Sequence, residues 1–223
     1  MATLRWAFLL DVDNTLIDND AVKADLDHAL KREVGPDVEQ EFWTFYDDVR
    51  RDLDRVDFPE VLRRFCASTV PGPVAERISA IVNGIPFERY RYPGALEALA
   101  HLATLGTTVI VSDGDPVFQP AKIARAGLSA AVGGRVVITT HKEAELPNVY
   151  AAYPADRYVM IDDKAGILAS IRRREPERFR TILVMQGHYA QQATVPLYAA
   201  DLTVAHIGDL RTLTLDQLEG AVR

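Results

Sequence analysis

The stretch Arg5-Trp-Ala-Phe-Leu-Leu-Asp-Val-Asp-Asn-Thr-Leu-Ile17 decides the fold. Its apolar run, Trp6 to Leu10, reads as a buried strand that stops at a carboxylate, Asp11. Asp13 follows at strand spacing, so in extended geometry both acids point to one side. Two carboxylates at the end of a buried strand raise each other's cost of ionising, and a divalent cation or a proton on one of them relieves it. The same residues also suit a plain turn, Asp13-Asn14, closing an ordinary strand. The rest of the chain has to separate these readings.

Downstream of Ile17 the periodicity becomes helical up to about Phe87. Asp20 is expected to cap a helix carrying Val22, Leu26, Ala29 and Leu30, which Gly35-Pro36 breaks. Val38, Phe42, Phe45, Tyr46, Val49 and Leu53 form the stripe of a second helix. Pro59 starts a third with Val61, Leu62 and Phe65, and Pro71-Gly72-Pro73 separates it from a fourth with Val74, Ile78, Ile81, Val82 and Ile85. Four amphipathic helices without a strand among them look like a small bundle inserted after the first strand. Trp43 lies off the main stripe, facing either a cleft or solvent, and Tyr46 and Arg50 share one face of the same helix.

From Tyr92 strands and helices alternate. Pro93-Gly94 opens a helix with Leu96, Leu99, Ala100 and Ala103 expected inward, ending at Gly106. Further strands are expected at Thr107–Val111, Arg135–Ile138, Tyr158–Ile161, Thr181–Met185 and Leu202–Val204. Asp115-Pro116 suits a helix start, and Thr214 to Gln217 has capping-box spacing. This alternation predicts an α/β protein with a doubly wound parallel sheet. The expected division is a core of residues 1–17 and 89–223 with a helical cap of residues 18–88. In such sheets ligands bind beyond the carboxyl ends of the strands. Here those ends carry Asp11 and Asp13, Ser112, His141-Lys142, and Asp162-Asp163. Singly, each has a plain explanation as a cap, a turn former or a surface charge; together at one sheet edge they form a constellation.

The 223 residues have ordinary globular composition and a formal net charge of -7, which speaks against general affinity for nucleic acid or anionic membranes. One cysteine, Cys66, excludes an internal disulfide and is expected to pack among Leu62 and Phe65. With neither a signal peptide nor an apolar run of membrane length in view, a soluble, cytoplasmic monomer or homodimer is expected. The Arg172-Arg173-Arg174 run reads as a solvated helix end favoured by the dipole. His188 follows the fifth strand and reads as a loop residue.

Asp11-Val-Asp-Asn-Thr-Leu resembles the first motif of the haloacid dehalogenase-like (HAD) superfamily, in the form used by its phosphotransferases. The strand ending Val-Ile-Val-Ser112 resembles the second motif, Lys142 the third, and Met160-Ile-Asp-Asp163 the acidic fourth, in the family's order. Tyr92-Pro-Gly-Ala-Leu and the helical insert, placed like a mobile cap, are also similar to family members. One departure is Ile161, where Gly or Ser usually precedes the fourth-motif acid. The resemblance implies a Rossmann-like core and a Mg²⁺-dependent phosphatase acting on a small phosphorylated substrate.

Chemistry fits that implication. A carboxylate such as Asp11 can attack phosphorus to form an aspartyl-phosphate, with Asp13 as proton carrier if its pKa is tuned upward. Asp11, Asp162 and the backbone carbonyl of Asp13 are the expected Mg²⁺ ligands, with Asp163 behind them. Lys142, Ser112 and backbone N–H groups near Asp113 and Gly114 are expected to hold the phosphate. A C–halogen hydrolase of the family would lack the second aspartate, and a phosphonate-cleaving one needs a cap lysine, for which only Lys23 and Lys31 are available. A signalling receiver domain would place its acidic pair before the phosphorylated aspartate, not last. A phosphomutase or other phosphotransferase, and a non-catalytic phospho-ligand-binding protein on the same fold, stay open.

Overall fold

The computed structural model, which describes residues 4–68, 71–191 and 199–220, forms Trp6–Leu10 into strand β1 near the middle of a six-stranded sheet. Helices α1 (Asn19–Val34), α2 (Pro36–Leu53), α3 (Phe58–Cys66) and α4 (Gly72–Asn83) follow, then a 3₁₀ turn at Phe87–Tyr90. Next come α5 (Ala95–Leu105), β2 (Thr107–Asp113), α6 (Phe118–Arg125), α7 (Leu128–Ala131), β3 (Val136–Thr139), α8 (Lys142–Ala152) and β4 (Arg157–Asp162). The chain continues through α9 (Ala165–Arg174), β5 (Phe179–Val184), α10 (Gly187–Gln191), β6 (Leu202–Val204), a 3₁₀ turn at Ile207–Thr212, and α11 (Leu215–Gly220). All strand pairs are parallel, in the order β3-β2-β1-β4-β5-β6. Among the described residues no helix is long and apolar enough to cross a membrane.

Every residue of β1 is buried, as expected for a parallel strand covered on both faces. Its period of two divides the interior. Trp6, Phe8 and Leu10 join Ile110, Ile161 and Ile182 in a core closed by α5, α6 and α11. Ala7 and Leu9 join Val109, Met160 and Phe179 in a second core, closed by Leu146 and Val149 of α8 and Leu168 and Ile171 of α9. The doubly wound α/β sheet is therefore as the alternating pattern predicts.

The helical stretch is joined to the first of these cores. Phe42, at the centre of α2, meets Phe65 of α3 edge-on at 5.9 Å between centroids, and Phe58 of α3 reaches Phe118 of α6 at 4.9 Å. Val22, Phe42 and Val82 belong to the same buried cluster as Phe8 and Leu10. The four expected helices form a helical layer whose buried residues belong to one interior with the sheet.

Several local expectations are corrected. Asp18, not Asp20, caps α1, its carboxylate accepting from the Ala21 N–H at 2.9 Å. The buried face of α5 is Ala95, Ala98, Leu99 and Leu102, while Leu96, Ala100 and Ala103 are exposed. The contact that selects this face is the 3₁₀ turn at Ile207–Thr212, where a Cβ on Gly94 would lie 2.7 Å from the Gly208 Cα. Cys66 is exposed at the end of α3. Helix α8 has no clear sequence signature, because Pro147 interrupts it. Proline cannot donate to the Glu143 carbonyl one turn back, and the Arg174 guanidinium donates there instead at 3.1 Å. The Thr214–Gln217 capping box is present in both directions.

A shared interior predicts a single cooperative unfolding unit. Trp6 reports on the sheet and Trp43 on the helical layer, and they are the chain's two tryptophans. In urea titrations followed by fluorescence, W6F and W43F are expected to report coincident transitions. Phe42→Ala should lower both by about 3–5 kcal/mol. Separate midpoints would show that residues 18–88 fold as an independent domain.

Candidate active site

The loop after β1 is wound tightly on itself. The Val12 carbonyl accepts from the N–H groups of Leu16 and Ile17, both at 2.9 Å, and the Asn14 N–H donates to the Ile17 carbonyl at 2.7 Å. Asn14 adopts a left-handed conformation with φ 63°, which asparagine tolerates better than most side chains. Its side-chain oxygen accepts from the Asn19 and Asp20 N–H groups at 3.0 and 3.2 Å, fastening the start of α1 to the loop. Gly187 (φ 69°) packs so closely that a Cβ there would fall 2.4 Å from the Asn14 Cβ. The His188 N–H and ring Nδ1 bind Asp20 at 2.8 and 2.6 Å.

This loop presents Asp11 to the ends of β2 and β4, the neighbours of β1. Ser112 and Asp113 are the last residues of β2, and Asp162 is the last of β4. Lys142, the first residue of α8, is buried to 1% exposure and its ammonium donates to Asp11 Oδ1 and, at 2.7 Å, to Asp162 Oδ2. Burial alone would lower the lysine pKa, but the two carboxylates outweigh it and hold the group protonated well above its usual value. Burial pushes Asp11 up to about 6, with Lys142 opposing and Asp162 reinforcing the rise.

The two members of the acidic pair differ in their partners. Both Asp162 oxygens are engaged, one by Lys142 and the other by the Lys164 N–H at 2.9 Å. Both Asp163 oxygens are buried with no hydrogen-bond partner. Burial pushes the Asp163 carboxyl up to about 9, and the charges of Asp11 and Asp162 add to the rise. Ligand oxygens of Asp11, Asp162 and Asp163 lie within 4.8 Å of one another, close enough to share one cation.

Asp13 departs from its expected upward tuning. Burial would raise its pKa, but the Lys122 ammonium and the Gln119 amide outweigh burial and bring it below the ordinary carboxylate value. Lys122 donates to Asp13 Oδ1 and, at 2.8 Å, to Asn19 Oδ1. Gln119 Nε2 donates to Asp13 Oδ2 at 3.0 Å and to Ser112 Oγ at 2.9 Å, leaving the Ser112 hydroxyl proton for another acceptor. The Gly114 N–H donates to the Thr139 carbonyl at 2.9 Å, so it is not free for a phosphate. Asp113 brings a carboxyl group to the cleft, raised by burial, with one oxygen lacking a partner.

Asp13 and Asp113 line a cleft of about 550 Å³ whose other wall is formed by α1, α2 and residues 54–58. Tyr46 and Arg50 line this wall, whereas Trp43 points elsewhere and donates to Asp27 at 3.2 Å. His188 and Tyr189 line it too. Gln119 and Lys122 escaped sequence reading; their one signal was helical i, i+3 spacing after the second strand.

The family model for haloacid dehalogenase-like hydrolases matches residues 8–158. A haloacid dehalogenase-like hydrolase of Burkholderia xenovorans LB400 is 42% identical, with 95% of this chain and 100% of that one covered at a TM-score of 0.87. The magnesium-bound HAD-hydrolase YfnB of Bacillus subtilis is 15% identical, with coverage of 93% and 97% and a TM-score of 0.61. L-2-haloacid dehalogenase of Xanthobacter autotrophicus is 20% identical, with coverage of 92% and 96% and a TM-score of 0.56. No curated protein matches. The extent of the family match and the 42% identity over nearly the full chain place this protein in the haloacid dehalogenase-like hydrolase family.

Proposed function

We propose that this hydrolase cleaves small phosphomonoesters with Mg²⁺, through an aspartyl-phosphate on Asp11, beneath a cap formed by residues 18–88. The observation that carries the reading is the Asp163 carboxyl group, buried beside Asp11 and Asp162 with neither oxygen partnered. A buried carboxylate in that setting is strongly disfavoured unless a cation joins it. The donor set is all oxygen, which suits a hard divalent ion rather than a thiophilic one. Asp11, Asp163 and the Asp13 carbonyl would hold it, with Asp162 orienting Lys142. When bound, Mg²⁺ neutralises the crowded carboxylates and the incoming phosphoryl oxygens.

The chain's own groups supply the rest. Asp11 attacks phosphorus in line as the ester oxygen leaves. Lys142 and the Ser112 hydroxyl hold phosphoryl oxygens. Asp13 is ionised at rest beside Lys122. As the anionic substrate arrives its negative field raises the Asp13 pKa; Asp13 takes up a proton and passes it to the leaving oxygen. In the second displacement it removes a proton from the water that attacks phosphorus and frees Asp11.

With Mg²⁺ the protein is expected to turn over para-nitrophenyl phosphate, releasing free phosphate rather than transferring it. Asp11→Asn should reduce this by about a thousandfold or more, as removal of a nucleophile does. Asp13→Asn should slow turnover by about 10²–10⁴-fold while calorimetry still detects Mg²⁺ binding. Chloride release from 2-chloropropionate without metal, together with inactivity on a broad phosphate-ester panel, would overturn the proposal in favour of C–halogen hydrolysis.

Metal-free stability tests Asp163 separately. Its folded pKa of about 9 exceeds the ordinary value of 3.8, so between these the native state holds a proton that the unfolded chain releases. Stability contributed by this group therefore falls as pH rises through that window. In chelator, Asp163→Asn should melt above the wild type at pH about 8 and converge with it toward pH about 5. Added Mg²⁺ should raise the wild-type Tm more than that of the variant; equal shifts would remove Asp163 from the ligand set.

A further inference from the structure

Three cations in the cleft form no ion pair among the described residues, although Asp47 acts on Arg50 through space, and Asp11 and Asp162 act on Lys164. Lys23 of α1 places its ammonium 5.0 Å from the ring centre of Tyr46, and Lys164 lies 5.0 Å from that of Tyr189. Arg50 of α2 donates to the Tyr189 hydroxyl at 3.2 Å. Among the described residues none of the three has a carboxylate within 4 Å, whereas the cleft's other cations do: Lys122 pairs with Asp13, Arg51 with Asp48, and Arg55 with Asp57. The acids on the same wall, Asp47 and Asp54, are solvent-exposed, as is Arg50, while Lys23 is half-buried and Tyr46 buried.

The neighbouring Tyr46 adds an independent sign. It is 4% exposed, and its hydroxyl has no hydrogen-bond partner. A buried phenol donor left without an acceptor costs on the order of 1–3 kcal/mol, and a ligand oxygen would recover that. A guanidinium and an ammonium without an ion pair, beside a phenol without a partner, match the needs of an anion: charge-assisted donors converging from several directions. A neutral leaving group could accept hydrogen bonds here but would leave the charges of Lys23 and Arg50 uncompensated.

We propose that Lys23, Arg50 and Tyr46 receive a second anionic group, so that the substrates are small phosphomonoesters whose leaving group carries a carboxylate or a second phosphate. This rests on the phosphomonoester reading above. The phosphoryl group is held at the sheet edge by Lys142 and Ser112, while the helical wall recognises the other end of the molecule. The cleft, about 550 Å³ and lined by Asp13 and Asp113 on one side and by Lys23, Tyr46 and Arg50 on the other, suits a compact metabolite.

The test uses three esters of one carbon skeleton: glycerol 3-phosphate, 3-phosphoglycerate and 2,3-bisphosphoglycerate. With the full chain and Mg²⁺, kcat/KM for one or both of the anionic esters should exceed that for glycerol 3-phosphate by about tenfold or more, the worth of one charge-assisted hydrogen bond. Which of them gains identifies a carboxylate or a phosphate as the second anion. Arg50→Met combined with Lys23→Met should bring the ratio toward one, and Arg50→Lys should restore part of it. A wild-type ratio near one, or a ratio indifferent to both substitutions, would overturn the inference. If no ester is hydrolysed, the phosphatase reading falls by itself. Calorimetric titration of the same compounds then decides this inference, through stronger or equal binding of the anionic members.

Discussion

The site depends on one buried cation. Lys142 lies between Asp11 and Asp162, fully enclosed, and compensates two of the carboxyl groups that the sheet gathers at its edge. Without it, Asp11, Asp162 and Asp163 would place three acids within 4.8 Å in a setting where each ionisation opposes the next. With it, two acids are served and a third is left over. That remainder, Asp163, is buried without a hydrogen-bond partner, and its carboxyl group is pushed up to about 9. The lysine opens α8, so its placement in turn rests on β3, the loop after it, and a helix that accommodates Pro147 through a guanidinium from α9.

A second constraint is the tethering of the first loop from both sides. Asn14 binds the start of α1, Gly187 packs against Asn14, and Asp20 holds His188. From the opposite side, Lys122 and Gln119 of α6 grip Asp13 and tie it to Asn19 and Ser112. The residues between β1 and α1 are therefore fixed jointly by the sheet, by α6 and by the segment after β5. Such multiple support holds a reactive side chain to a narrow range of positions, on which rate depends steeply. The same ties join the helical wall of the cleft to the loop after β1.

The electrostatics of the cleft are asymmetric in a useful way. Its sheet edge combines acids with the enclosed Lys142 and with Lys164, whereas its helical wall offers Lys23 over the Tyr46 ring and Arg50 bonded to Tyr189. The protein as a whole carries net charge -7, so this wall is a local reversal of the global field. A reversal confined to one concave surface concentrates anions there without making the whole protein bind polyanions.

Much of this was legible along the chain. Periodicity alone distinguished buried strands from amphipathic helices, because burial on both faces of a parallel strand and one face of a helix leave different apolar spacings. The ends of those strands then named Asp11, Asp13, Ser112, Lys142, Asp162 and Asp163. What one dimension could not hold was the direction of each side chain. The buried face of α5 turned on a contact between Gly94 and Gly208, more than a hundred residues apart. Likewise, Asp162 and Asp163 differ because Lys142 binds only the first, and Asp13 lost its expected proton affinity to a lysine on α6. Sequence by itself determined which elements form and which residue types reach the sheet edge, since those follow from local hydrophobic spacing. Tertiary structure decided the pairing of charges there, because Coulomb and desolvation energies depend on distances and burial that exist only after the chain has folded.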